Sequence, residues 1–167
     1  GLRRDNGQHR IDEDLGVAAL LRALELGINL IDTSAGYMGN SRSEQIVGKA
    51  IAQWTANGGR REDIVLETKT GTREGHNRTA ASYSGRATWQ SIETSLRLLN
   101  VDYLDIALVH DPMDLEPVLA PNGAWAALHE MKSQGMVRAV GLGTRSHEHH
   151  QRIIATGACD VCLTHSD

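Results

Sequence analysis

Three apolar stretches of this chain each lead into a polar residue of a kind that handles protons. Asn29-Leu30-Ile31 leads into Asp32, with Tyr37 five residues further on. Ile64-Val65-Leu66 leads through Glu67 and Thr68 to Lys69, and Asp105-Ile106-Ala107-Leu108-Val109 leads to His110. Folds built on parallel strands carry their reactive groups at the carboxyl ends of those strands. A carboxylate, a phenol, an amine and an imidazole on neighbouring strand ends make one proton-handling site. Any one of these residues is as often a structural polar group as a catalytic one. Four in this order on adjacent strands point to catalysis.

The elements that must position them alternate along the chain. Asp12 to Leu26 carries Val17, Leu20, Leu21 and Leu24 at helical spacing, and Gly27 stops it. A strand follows at Ile28 to Thr33. Ser41-Arg42-Ser43-Glu44 fits a capping box, opening a helix that runs to Trp54. Asn57-Gly58-Gly59 breaks that helix before a strand from Asp63 to Lys69. A polar, Gly- and Ser-rich loop from Thr70 to Gly85 leads to a helix from Ala87 to Asn100 with the stripe Ile92, Leu96, Leu99. Strand Tyr103 to His110, a loop with Pro112, Pro117 and Pro121, helix Gly123 to Gln134 and strand Met136 to Gly141 come next. A helix from Ser146 to Thr156 and a strand from Cys159 to Thr164 complete the series.

Strands that read as apolar runs rather than alternations are buried on both faces, as in a parallel sheet. Helical crossovers then give a doubly wound sheet or a (β/α)8 barrel. Five strands are expected, whereas a full barrel has eight and about 250 residues. The expectation is a single α/β domain over residues 1–167, an incomplete portion of a (β/α)8 TIM barrel lacking the first strand and the C-terminal units.

Composition narrows the function. Of 167 residues, 17 are basic and 21 acidic, a formal charge of −4, and no Lys/Arg run marks a nucleic-acid footprint. No apolar stretch has the roughly 18 residues that span a bilayer, and no signal-peptide pattern opens the chain. Two cysteines, Cys159 and Cys162, fit a reducing cytoplasm rather than a disulfide framework. The expected partner is therefore a small molecule, with neither nucleic acid nor membrane involved and oligomeric state left open.

The run Ala23-Leu24-Glu25-Leu26-Gly27-Ile28-Asn29-Leu30-Ile31-Asp32-Thr33-Ser34, followed by Gly36-Tyr37 and Ser43-Glu44, resembles the aldo-keto reductase signature. Ser91-Ile92-Glu93-Thr94-Ser95-Leu96 with Leu99, and Val101-Asp102-Tyr103-Leu104-Asp105 with the strand ending at His110, resemble it too. The resemblance runs from Asp12 to the C-terminus. His110-Asp111-Pro112 and Asp160-Val161-Cys162-Leu163-Thr164 are similar to the aldose (sugar) dehydrogenase branch.

This resemblance implies an NAD(P)-dependent oxidoreductase, with NADP or NAD as cofactor. Hydride transfer to a carbonyl carbon builds negative charge on the oxygen, which needs a proton. Tyr37 is the implied acid in reduction and the base in oxidation. A free phenol titrates near 10, and the Lys69 ammonium is there to favour the phenolate. Asp32 holds Lys69 charged and oriented, and His110 hydrogen-bonds the carbonyl oxygen. Asp111 is a substrate-binding candidate that would accept hydrogen bonds from sugar hydroxyls, against a plain reading as an exposed turn acid. For the cofactor, the family's Ser-Asn pair falls on Gly143 and Thr144 and its Gln on Leu163, so Asp32 and Thr144 are the implied contacts. The family's phosphate-binding loop lies further toward the C-terminus. A non-catalytic nucleotide-binding module, or an inactive fragment, is the competing reading.

Other features carry less. Gly141-Leu142-Gly143 lacks the third glycine of a dinucleotide fingerprint. Cys159 and Cys162, three apart in a strand, would point to opposite faces and read as buried small residues. His147, His149 and His150 read as a solvated helix start, and His129 and His165 as isolated; no metal site is expected. Trp89 and Trp125 fall at core spacing, and Trp54 at a partly exposed helix end.

Overall fold

The computed structural model describes residues 2–5, 8–72 and 78–164. Five parallel strands form a curled half-barrel: β3 (Leu30–Asp32), β4 (Val65–Thr70), β5 (Leu104–His110), β6 (Val137–Thr144) and β7 (Val161–Thr164). They lie side by side in sequence order, the progression of a barrel rather than the reversing order of a doubly wound sheet. Five helices pack over the outer face: α1 (Glu13–Glu25), α2 (Arg42–Ala56), α3 (Gly85–Leu99), α5 (Ala124–Ser133) and α6 (His147–Ala155). The five expected strands and their order are all present. No helix among the described residues is long and apolar enough to cross a membrane.

Two elements were not expected. A separate antiparallel hairpin, β1 (Leu2–Asp5) and β2 (Gln8–Ile11), precedes α1, so the first helix does have strands before it. The overlooked signal is the pair Asn6-Gly7 between them, a sequence favoured in two-residue hairpin connections. One helical turn, α4 (Glu116–Leu119), interrupts the three-proline loop, and Pro117 fits there because the first turn of a helix needs no amide from it.

Side-chain caps open three helices. Asp12, Ser84 and Ser146 accept from the amides of Leu15, Ala87 and His149. The capping box at α2 is corrected. Ser41 adopts a left-handed backbone (φ 54°), makes no cap with its side chain and donates to the Ala35 carbonyl oxygen (3.2 Å). Glu44 instead turns inward. Its Oε1 accepts from Thr68 of β4 (2.8 Å) and Ser95 of α3 (2.6 Å), and it is fully buried. That carboxylate ties α2, α3 and β4 together at a distance no local pattern records.

The main core lies between the helices and the outer face of the sheet. Ile64 and Leu66 at the start of β4 and Ala107, Val109, Val140 and Leu142 of the next two strands meet Val47, Ile51, Ile92, Leu99, Leu128 and Met131. Contact between α2 and α3 is close enough that a Cβ on Gly48 would stand 2.2 Å from the Leu98 carbonyl oxygen. Gly141 serves the same end in the sheet, where a Cβ would stand 2.0 Å from the Val161 carbonyl oxygen. This packing need, rather than phosphate binding, accounts for that glycine. Replacing Glu44 with Ala removes the acceptor shared by two buried hydroxyls and opens a cavity. It is expected to cost about 2–4 kcal/mol, read from the midpoint of urea unfolding. An unchanged midpoint would show that the three-way contact carries no stability.

Candidate active site

Strand alternation decides which side chains reach the concave face. Outer positions such as Leu66 and Thr68 go to the helices, so Glu67 and Lys69 face inward. Register then aligns the strand ends: Asp32 pairs with Glu67, Lys69 with Leu108, and His110 with Gly143. Tyr37 comes from the turn after β3, where its amide donates to the Ser34 carbonyl oxygen (3.1 Å). Met38, Asn40 and Ser41 just beyond it all have left-handed backbones, a strained stretch for residues with side chains.

The four expected residues converge. Lys69 is buried, at 1% exposure. Its Nζ donates to Asp32 Oδ1 and to the Thr33 carbonyl oxygen (3.0 Å) and lies 3.5 Å from Glu67 Oε1. The same Nζ stands 4.9 Å from the centre of the Tyr37 ring. That ring meets His110 edge-on, with centroids 5.7 Å apart and an angle of 85°. The phenol thus sits between an ammonium and an imidazole, and it remains 36% exposed toward the cleft.

Two hydroxyls meet one nitrogen of His110. Ser34 Oγ accepts from the Gly36 amide (3.2 Å) and lies 3.1 Å from His110 Nδ1. Thr72 Oγ1 lies 3.0 Å from the same nitrogen. When either hydroxyl donates to Nδ1, the ring proton is on Nε2. Burial, reinforced by the nearby Lys69 ammonium, lowers His110 from 6.5 to about 4, so the ring is neutral at physiological pH.

Between pH 6.5 and 4 the unfolded chain takes up a proton that the native ring refuses. The associated stability is complete above pH 6.5 and is lost as pH falls toward 4. His110→Gln, neutral throughout, is expected to flatten the fall in melting temperature across that window. An identical slope in both proteins would contradict this.

Asp111 follows with a left-handed backbone (φ 47°) directly before Pro112, an arrangement that costs energy twice over. It is not an exposed turn acid. Its Oδ2 pairs with Arg78 (2.8 Å), its Oδ1 accepts from Thr144 (3.3 Å), and its amide donates to the Gly143 carbonyl oxygen (2.6 Å). Tyr83, from a 3-10 turn at Ala80–Tyr83, is buried and donates to the His110 carbonyl oxygen (2.9 Å). Burial pushes its phenol up to about 12, which suits an anchoring donor.

Asp32, Tyr37, Lys69, His110, Asp111 and Thr144 all line one cleft of about 580 Å³. The sequence reading assigned no role to Ser34, Glu67, Thr72, Arg78 or Tyr83. Ser34 and Glu67 stood inside the motif runs, but nothing in the 73–77 neighbourhood flagged Arg78, and that stretch of the polar loop lies outside the described residues.

A model of the Aldo/keto reductase family matches residues 1–164. The chain belongs to that family. Its five strands are a portion of the (β/α)8 barrel of aldo/keto reductases. It is 34% identical over 137 residues to Aldo-keto reductase YhdN of Bacillus subtilis, which covers 82% of this chain and 39% of that protein. It is 31% identical over 163 residues to the NADH-specific methylglyoxal reductase of Escherichia coli, covering 90% and 48%. An aldo/keto reductase from Brucella melitensis superposes with a TM-score of 0.70 at 28% identity, covering 95% of this chain and 60% of that one. The chain spans less than half the length of these two curated relatives.

Two of the features set aside need correction in the aldo/keto reductase framework. Cys159 precedes β7 instead of lying in it, so strand alternation does not separate the thiols. Their sulfurs are 3.7 Å apart, and Cys162 is exposed rather than buried. His150 is buried, not solvated, with its Nε2 3.1 Å from the Thr144 carbonyl oxygen. His129 packs edge-on against Trp125 with ring centroids 5.0 Å apart. His165 lies outside the described residues. Among the described residues no group of three or more His, Cys, Asp or Glu side chains is placed to hold a metal ion.

Proposed function

We propose that this chain carries the proton-transfer centre of an NAD(P)-dependent oxidoreductase that interconverts a carbonyl compound, or a sugar hemiacetal, with its alcohol or lactone. The observation that carries this reading is Tyr37 held between the Lys69 ammonium and the His110 ring at the mouth of one cleft. A bound nicotinamide dinucleotide supplies or accepts the hydride. The residues present suit its nicotinamide end: Gly143 and Leu163 add apolar lining to the cleft, and the Thr144 and Asp32 side chains line the same cleft. The cofactor named for the Escherichia coli relative, NADH, supports the class, and NADP fits these residues equally.

In reduction, Tyr37 gives its phenolic proton to the carbonyl oxygen, and in oxidation its phenolate takes the hydroxyl proton. Lys69 stabilises the phenolate side of that exchange, and Asp32 holds the ammonium in place. His110, neutral with its proton on Nε2, donates to the carbonyl oxygen and fixes its approach without adding a charge.

For substrate, we infer a polyhydroxylated carbonyl of the aldose type. Asp111 is held by Arg78 and Thr144 at the rim of the cleft beside His110, where a carboxylate accepts from sugar hydroxyls. The test is a steady-state assay of nicotinamide absorbance with the full-length protein on aldoses, simple aldehydes and methylglyoxal. Turnover of aldoses with the higher kcat/KM supports the reading. Preference for methylglyoxal would remove the aldose assignment, and no turnover of any carbonyl would remove the enzyme assignment.

A further inference from the structure

One buried ionisable group has no place in the proton transfer described above. Glu67 lies on the concave face of β4, two residues before Lys69, and is 4% exposed. Its Oε1 is buried and makes no hydrogen bond, although it lies 3.5 Å from Lys69 Nζ. Donors of that ammonium go instead to Asp32 and to the Thr33 carbonyl oxygen. Among the described residues, Glu67 is flanked by Asp32, its register partner on β3, by Lys69 on its own strand, and by the uncharged Ile106 opposite it on β5.

Two carboxylates, buried Glu67 and the solvent-facing Asp32, beside one buried ammonium leave an excess of one negative charge at the edge of the cleft. Such a pair lowers its energy by keeping one proton between the two acids. We propose that Glu67 is a positioning residue acting through Lys69: beside Asp32 it keeps its proton on the acid side of neutrality, and its ionisation at higher pH keeps Tyr37 protonated. Burial pushes Glu67 up to about 7, with Lys69 opposing and Asp32 adding to the rise. The proposal rests on the roles given above to Lys69 and Tyr37.

The consequence has a definite sign. While Glu67 is protonated, Asp32 alone balances Lys69, and the ammonium favours the Tyr37 phenolate. When Glu67 loses its proton to solvent, a second negative charge joins the cluster and disfavours the phenolate. The phenol therefore stays a proton donor to higher pH, which extends carbonyl reduction on the alkaline side. Oxidation, which needs the phenolate, is held back over the same range.

The experiment uses the full-length enzyme. Glu67→Gln removes the second charge, so the alkaline limb of the kcat/KM profile for reduction is expected to move down by about one pH unit. Glu67→Asp, still ionisable, is expected to restore most of that limb. Independently of turnover, infrared difference spectra of the wild type should show a protonated-carboxyl band near pH 6. This band should shift on 13C-glutamate labelling, disappear as pH rises through about 7, and be missing from the Gln variant. An unmoved limb in Glu67→Gln, or a wild-type spectrum with no glutamate-dependent band, overturns the proposal. Full turnover in Tyr37→Phe would instead overturn the reading of the site while leaving the infrared result intact.

Discussion

Tyr37→Phe in the full-length enzyme is expected to lower kcat and kcat/KM together, by roughly 10²–10⁴-fold, the usual worth of a positioned acid. Phe keeps the ring that Lys69 approaches at 4.9 Å and His110 meets edge-on at 5.7 Å, so packing around the cleft is preserved. Only the transferable proton is lost. Equal loss in both kinetic constants follows because the phenol acts in the transition state and not in ground-state binding. Nucleotide affinity, measured by quenching of intrinsic fluorescence, should stay within about twofold of the wild type. Turnover within tenfold of wild type would remove Tyr37 from the proton-transfer role.

Lys69→Met should have two effects with one cause. Met matches much of the lysine stem but leaves the Asp32 and Glu67 carboxylates without the cation between them. Turnover is expected to fall by roughly 10²–10³-fold, the cost of removing a charge aimed at the developing phenolate. The pH dependence of stability should steepen in a definite direction. Lys69 pulls Glu67 down, so its loss raises the native acid further above the ordinary value of 4.5. The native state then binds that proton more tightly than the unfolded chain does. Stability is retained at pH 4.5 and declines as pH climbs through neutrality. Thermal melts at pH 5 and pH 8 should show the variant near wild type at the lower value and well below it at the higher. A uniform drop at both would mean that lost packing, not unbalanced charge, is responsible.

Much of this architecture was legible because it rests on local rules. The strands were marked by apolar runs bounded by Gly, Asn and Pro, and the helices by stripes such as Ile92, Leu96 and Leu99. The helix starts near Asp12 and Ser146 fell within a residue of the expected bounds, and α3 begins at Gly85, two residues before the expected Ala87. The capping box failed for a non-local reason: Glu44 finds two buried hydroxyls, one of them 51 positions away, that are better partners than a solvated helix end. The two cysteines failed for a boundary reason, since a strand starting at Val161 rather than Cys159 changes where a thiol points. His150 failed because helical spacing records a face without saying what the face meets.

The site divides in the same way. Sequence alone identified Asp32, Tyr37, Lys69 and His110, because each stands at a strand end or in the turn after one and its chemical type is readable from the chain. Asp111 and Thr144 came from the family resemblance, and β6 runs three residues beyond the expected Gly141 to end on Thr144. Only the tertiary structure decided the charge balance around them. Glu67 becomes a second acid for Lys69 because register sets Asp32 opposite it and curvature of the sheet closes both over one ammonium. Arg78 reaches Asp111 across 33 positions of chain, and Ser34 and Thr72 orient His110 from two different loops. A sequence specifies which groups are available along one dimension. Which of them share a proton or a charge depends on distances of a few ångströms that only packing sets.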